Sequence, residues 1–253
     1  MRGLWIYTLR RLYTHVTFSV NRYILDSMKQ KNLPKAVLFD LDGTLADTIS
    51  DITHAMNAVM NELHLSPITE TDCKRYVGKG LRNALTLALN EKHLYPDETE
   101  IKEYLHLLMD TYRKHPFDKS QAYPGIDQFL EKLVAAGIQL GVLSNKDEQL
   151  VVMIVDALFG HVPFVSVAGA TCRYPSKPDP TLAQRFAQEA GLHVRDVLLI
   201  GDSEIDYHTA QAAGMQVALL TWGFRNRTEL ASSGCFPLYD TVREIETEVF
   251  LWR

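Results

Sequence analysis

Cysteine is scarce in this 253-residue sequence: Cys73, Cys172 and Cys235 are far apart and form no Cys-x-x-Cys pair. A disulfide framework and a cysteine-based zinc site are disfavoured, and a reducing compartment is the natural reading. An excess of basic charge is also missing. The 26 Lys+Arg stand against 31 Asp+Glu, a net charge of −5, which argues against a dedicated nucleic-acid binder. No uncharged apolar run reaches the roughly 18 residues of a membrane span. The nine histidines include no His-Glu-x-x-His, so a zincin is excluded. Gly78-Lys79-Gly80 lacks the Walker spacing, and no suitable Asp-x-x-His follows Gly201-Asp202-Ser203 to make it an esterase site. What is present is 46% hydrophobic residues, ample for a packed core. The expectation is a soluble cytoplasmic α/β enzyme with no nucleic-acid partner and no stable membrane insertion. Its length suits one large domain, or one domain carrying an insert.

Residues 1–34 differ from the rest. Arg2, Arg10, Arg11, Arg22, Lys29 and Lys31 face a single acid, Asp26, among Trp5, Tyr7, Tyr13, Phe18 and Tyr23. Organelle targeting and a segment that touches anionic lipid are two readings. The preferred one is a mis-assigned start, with translation beginning at Met28, since Met28-Lys29-Gln30-Lys31 leads straight into the first strand. No function is assigned to this segment.

Beyond Lys35 the pattern becomes regular. Ala36-Val37-Leu38-Phe39 is continuously apolar and reads as a strand buried on both faces. Ile52, Ala55, Met56, Val59, Met60 and Leu63 form one helical stripe, and Ile101, Tyr104, Leu105, Leu108, Met109 and Tyr112 form another. With helix-prone Leu81 to Leu89 between them, residues 52–115 read as helical with no strand. After Tyr123-Pro124-Gly125 the chain alternates. Strands are expected at Ile138–Leu143, Phe164–Val167, Val197–Ile200 and Val217–Leu220, with helices between them that stop at Gly137, Gly191 and Gly214. A last helix carries Val242, Ile245 and Val249 on one face. Strands separated by single helices imply a doubly wound parallel sheet, Rossmann-like, with an all-helical cap inserted after the first strand. The expected division is an α/β core at 35–51 and 121–253, with a cap at 52–120.

Ligands of open parallel sheets bind beyond the carboxyl ends of the strands. There the sequence supplies Asp40-Leu41-Asp42-Gly43-Thr44, Ser144-Asn145-Lys146, Tyr174 to Pro180 with Lys177, and Gly201-Asp202-Ser203-Glu204-Ile205-Asp206. Taken singly, each has a structural explanation: Ser144 or Asp147 as a helix N-cap, Lys177 as a solvated loop lysine, Gly201 as a turn residue. Jointly they do not, because carboxylates crowded at one rim repel unless a cation lies between them, and all-oxygen donors suit Mg²⁺. Such a site suits phosphate. Asp40 would attack phosphorus, and Asp42 would protonate the leaving alcohol and then activate water.

These motifs resemble those of the haloacid dehalogenase-like hydrolases, over about residues 35–250. Val77-Gly78-Lys79-Gly80, Ser144-Asn145-Lys146, Lys177-Pro178-Asp179-Pro180 and Thr221-Trp222-Gly223-Phe224 look most like phosphoglycolate phosphatase-type members. The resemblance implies Asp40 as nucleophile and Asp42 as acid/base. It implies Mg²⁺ held by the Asp40 carboxylate, the Asp42 main-chain carbonyl and the Asp202 carboxylate. Ser144, Asn145 and Lys177 would bind the phosphate, Lys177 would also order Asp40, and Asp206 would support Lys177 or a metal-bound water. The expected substrate is a small phosphorylated metabolite, 2-phosphoglycolate foremost. In the cap, Gly78, Lys79, Gly80 and Arg82 are expected to read a second anionic group, the alternative being a plain interhelix turn with solvated basic residues. Sugar-phosphate phosphatases share most of these features, a β-phosphoglucomutase-like phosphomutase uses the same Asp pair, and a pyrophosphatase is a further alternative. A dehalogenase would lack Asp42. A non-catalytic binding member would be expected to have lost Asp40, Asp42 or Asp202.

Overall fold

Ala36–Phe39 forms strand β1, buried along its whole length and paired on both sides, as a continuously apolar tetrapeptide requires. The computed structural model describes residues 34–250, so nearly all of the N-terminal segment singled out above lies outside the described residues. Pro34–Glu246 makes one compact unit. Its sheet also contains β4 (Gln139–Asp147), β5 (Phe164–Ala170), β6 (Val197–Gly201), β7 (Gln216–Leu220) and β8 (Leu238–Tyr239). The order is β5-β4-β1-β6-β7-β8, with every neighbouring pair parallel. The expected doubly wound architecture is therefore observed, with a sixth strand that two residues of sequence could not announce.

The chain leaves the sheet through β2 (Ala46–Asp47) and returns through β3 (Gln121–Ala122), which pair antiparallel as a short ribbon. Between them lie four helices: α1 (Ile49–Glu62), α2 (Glu70–Tyr76), α3 (Leu81–Glu91) and α4 (Glu98–Lys114). Thr69 with Asp72 and Asp97 with Glu100 build capping boxes at the starts of α2 and α4. The two predicted stripes meet in the interior of this insertion, where Met56, Met60, Leu108 and Tyr112 are buried together with Leu85 and Leu89. Leu150, from beyond the ribbon, belongs to the same cluster, so the insertion shares its core with the rest of the unit.

Helices α5 (Ile126–Ala135), α6 (Glu148–Phe159), α7 (Thr181–Glu189) and α8 (Glu204–Ala213) connect the later strands. Phe186 of α7 and Ala210 of α8 pack with Leu38, Leu143 and Leu199 on one face of the sheet. Phe39 points to the other face and meets Phe129 of α5 edge-on, with ring centroids 6.2 Å apart. Two further helices follow, α9 (Arg227–Ser232) and α10 (Val242–Phe250). Among the described residues no helix is long and apolar enough to cross a membrane.

Candidate active site

Strand register assembles the rim. Phe39 pairs with Val142 on one side and Ile200 on the other, so Asp40, Ser144 and Asp202 follow at nearly one level. The chain order reverses beside β1, which is where an open parallel sheet leaves a crevice. A cleft of about 560 Å³, counted out to its open mouth, lies there between the rim and the Val77–Leu81 segment of the insertion.

Three buried carboxylates converge in it. Oxygens of Asp40, Asp202 and Asp206 all lie within 4.8 Å of one another. One ammonium faces them: Lys177 Nζ donates to Asp206 Oδ1 at 2.6 Å and lies 2.9 Å from Asp40 Oδ1. The second is an ion contact without hydrogen-bond alignment, so Asp40 Oδ1 has no aligned donor. Burial pushes the Asp40 carboxyl up to about 7; Lys177 opposes this, while Asp206 and Asp42 add to it. Asp202 is also raised well above the usual carboxylate range, by burial first and then by Asp40 and Asp206. For Lys177, burial disfavours the charge, but Asp206 and Asp40 prevail and hold its pKa above the ordinary lysine value.

Three carboxylates against one ammonium call for a proton or a cation. The residues fit a divalent cation with a preference for oxygen. Asp40 Oδ1 is buried and lacks an aligned donor, and Asp202 is fixed by Phe224 N–H, which donates to Oδ2 at 2.6 Å. Glycines also shape the cradle. Gly43, at φ +85°, and Gly223 both back onto Asp202, and a Cβ on either would collide with its carboxylate. Asp206, expected outside the ligand set, sits within the cluster. Both of its oxygens are already engaged, one by Lys177 and the other by the N–H and hydroxyl of Ser203. Ser203 caps α8 in return, so Asp206 serves the helix and Lys177 together.

Asp42 faces elsewhere. Its Oδ1 accepts from Thr48 Oγ1 at 2.5 Å and pairs with Lys146 Nζ, while Oδ2 lies 3.5 Å from Ser144 Oγ. Ser144 lines the cleft, and Asp147 makes no capping hydrogen bond to α6.

Two groups of the expected site residues have other partners in the structure, although Asn145 lines the cleft. Asn145 was expected to bind phosphate, yet its Oδ1 accepts from Lys177 N–H at 2.8 Å, and its Nδ2 donates to the Lys177 and Gly78 carbonyls at 2.9 and 3.0 Å. Its amide thus holds the Lys177 backbone. Gly78 and Gly80 line the cleft, whereas Lys79 and Arg82 do not. Lys79 is exposed, and Arg82 pairs on the surface with Glu98 at 2.7 Å, because the first turn of α3 directs it away from the cleft.

Arg225 is the cation that sequence reasoning missed. It lines the cleft and donates to the Lys74 and Val77 carbonyls of the insertion at 2.6 and 3.0 Å, with Glu204 3.6 Å away. It follows the carboxyl end of β7, so the strand-end rule applied to the other strands would have found it. Lys146 lay within a recognised motif without a role of its own, and Thr48 carried no signal.

Comparison with known proteins gives the same picture. The family model for haloacid dehalogenase-like hydrolases matches residues 37–220. Phosphoglycolate phosphatase of Rhodospirillum rubrum is 33% identical over 212 residues, covering 82% of this chain and 88% of that protein. Phosphoglycolate phosphatase of Aquifex aeolicus is 32% identical over 190 residues, covering 75% and 86% respectively. The crystal structure of a candidate phosphoglycolate phosphatase from Lactobacillus delbrueckii subsp. bulgaricus has a TM-score of 0.81 at 29% identity, covering 86% of this chain and 98% of that one. Since the family match runs from β1 to β7 with the helical insertion between them, this chain belongs to the haloacid dehalogenase-like hydrolases.

Proposed function

We propose that this hydrolase is a Mg²⁺-dependent phosphatase that cleaves a small phosphomonoester, 2-phosphoglycolate foremost, through an aspartyl-phosphate on Asp40. The observation that carries the reading is the buried Asp40 carboxylate, with Oδ1 lacking an aligned donor among the described residues and Lys177 beside it, in the lining of a cleft that Asp42 also lines. The names of the relatives support the choice of substrate.

In this reading an Asp40 oxygen attacks phosphorus while the bond from phosphorus to the substrate oxygen breaks. Asp42 gives that oxygen a proton, so an alcohol leaves. Asp42 then takes a proton from the water that attacks the phosphorus of the aspartyl-phosphate, freeing Asp40 and inorganic phosphate. Ser144 donates to a phosphate oxygen, and Lys177 neutralises phosphate while keeping Asp40 in place. A Mg²⁺ held by the Asp40 and Asp202 carboxylates and the Asp42 carbonyl would offset the negative charge of nucleophile and substrate. Residues 52–120 act as the cap over a core of 35–51 and 121–253, and Arg225 receives the second anionic group of the substrate.

The test is phosphate release from a panel of small phosphomonoesters with Mg²⁺, comparing wild type with Asp40→Asn. The wild type should favour 2-phosphoglycolate, and the variant should be folded and inactive. Substantial turnover by purified Asp40→Asn protein would overturn the covalent route.

A further inference from the structure

The proposed reaction needs Asp42 to aim one oxygen at the scissile bond twice, first to give a proton and then to take one. A short carboxylate side chain following a strand does not aim itself. Its Oδ1 is held by Thr48 Oγ1 at 2.5 Å and by Lys146 Nζ, which leaves Oδ2 to the cleft and Ser144. The Lys146 side chain is only 2% exposed, far below what a lysine normally accepts, and Asp42 is its carboxylate partner. Its backbone position is unusual too. The register between β4 and β5 shifts between Leu143 and Asp147, and such irregularities re-aim side chains. Within this irregular stretch Lys146 Nζ reaches Asp42 Oδ1.

The insertion also covers the ammonium. Lys146 Nζ lies 4.9 Å from the ring centroid of Tyr112, a fully buried residue in the last turn of α4. The Tyr112 hydroxyl has no hydrogen-bond partner among the described residues, so a hydroxyl–ammonium bond is not what the tyrosine contributes there. Its ring face is.

We propose that Lys146 is the positioning residue of Asp42, clamped between the Asp42 carboxylate and the Tyr112 ring, so that the helical insertion sets the aim of the acid/base. The proposal rests on the phosphatase reading above. Lys146 does not act on the substrate, and everything it contributes passes through Asp42.

The test uses full-length protein with Lys146→Met, Lys146→Arg, Asp42→Asn and the Asp42→Asn/Lys146→Met double variant, each checked for wild-type-like circular dichroism. Two substrates separate the steps: 2-phosphoglycolate, whose alkoxide must be protonated to leave, and 4-nitrophenyl phosphate, whose phenolate leaves unprotonated. Acid/base catalysis is typically worth 10²–10⁴-fold, so losing its aim should lower kcat on 2-phosphoglycolate by about a hundredfold, with KM little changed. With 4-nitrophenyl phosphate, Lys146→Met should release a burst of about one phenolate per enzyme before a slow steady state, because only the water-activating step needs Asp42. Lys146→Arg should recover part of kcat. The double variant should be no slower than Asp42→Asn, since a residue acting through Asp42 has nothing left to do without it. If Lys146→Met does not fold, Tyr112→Leu, which keeps the ion pair and removes only the ring, should show a smaller loss with the same burst.

Wild-type kcat in folded Lys146→Met, a loss on both substrates without a burst, or additive losses in the double variant would each overturn the proposal. A wild type that turns over no phosphomonoester would remove the phosphatase reading, and the proposal with it. An impaired Asp42→Asn beside an unaffected Lys146→Met would remove the role of Lys146 alone.

Discussion

Replacing Lys177 by methionine keeps the aliphatic stem and deletes the one ammonium that, among the described residues, faces Asp40 and Asp206. Both carboxylates are almost wholly buried, and removing one partner of a buried ion pair commonly destabilises by about 3–5 kcal/mol. At roughly 2–4 °C per kcal/mol for a chain of this size, Tm should fall by about 6–20 °C. The loss should also depend on pH. The Asp40 carboxyl is raised from 3.8 to about 7 by burial, against the pull of Lys177. A carboxyl raised on folding leaves stability intact below its unfolded pKa and removes it as pH climbs toward the folded value. In the wild type without metal, that decline therefore runs from about pH 4 to about pH 7. Without Lys177 the Asp40 pKa moves higher still, so the decline continues past 7, at up to about 1.4 kcal/mol per pH unit for one proton. The difference between wild type and variant should consequently be about 1–2 kcal/mol larger at pH 8 than at pH 6. Urea denaturation in chelator at the two pH values measures it. A difference that is the same at both, or a total loss below about 1 kcal/mol, would refute the account of Lys177 as the counter-charge of this cluster.

The remaining predictions concern the cation and the second anionic group. Phosphate release should collapse in EDTA, return with Mg²⁺ or Mn²⁺, and be inhibited by excess Ca²⁺, whose looser coordination misplaces the reacting groups; full activity in chelator would refute the metal assignment. Arg225→Ala should raise KM for 2-phosphoglycolate about ten- to a hundredfold, the worth of a charge-assisted contact of about 1.5–3 kcal/mol. It should change KM little for a neutral aryl phosphate. Arg82→Ala, at a surface pair with Glu98, should leave both substrates near wild type, and the reverse pattern would return selectivity to α3.

Local periodicity and the residue types at strand ends were enough to read the chain as a parallel α/β core with a helical insertion, and to single out Asp40, Asp42, Lys177 and Asp202. That information is local: four apolar residues ending at Asp40 declare a buried strand, and the stripes through Ile52 and Ile101 declare amphipathic helices. The two-residue strands β2, β3 and β8 were illegible because two residues carry no period. The roles of individual rim side chains were illegible for another reason. Asp42 and Lys146 are more than a hundred residues apart, and only the crossover from β1 to β4 and the bulge after Leu143 join them. Asn145 sits inside a motif that suggests phosphate, but its amide is taken by the Lys177 and Gly78 backbone as soon as the loops meet. Lys79 and Arg82 are basic residues beside a glycine turn, yet the turn directs them to the surface, while Arg225 lines the cleft. Sequence thus determined which residues stand at the rim, because strand ends are set by short-range pattern. Which of them face the cleft, which neutralise each other and which are held by backbone was decided only by tertiary structure, since a side chain hydrogen-bonds to what folding brings near it, not to what precedes it in the chain.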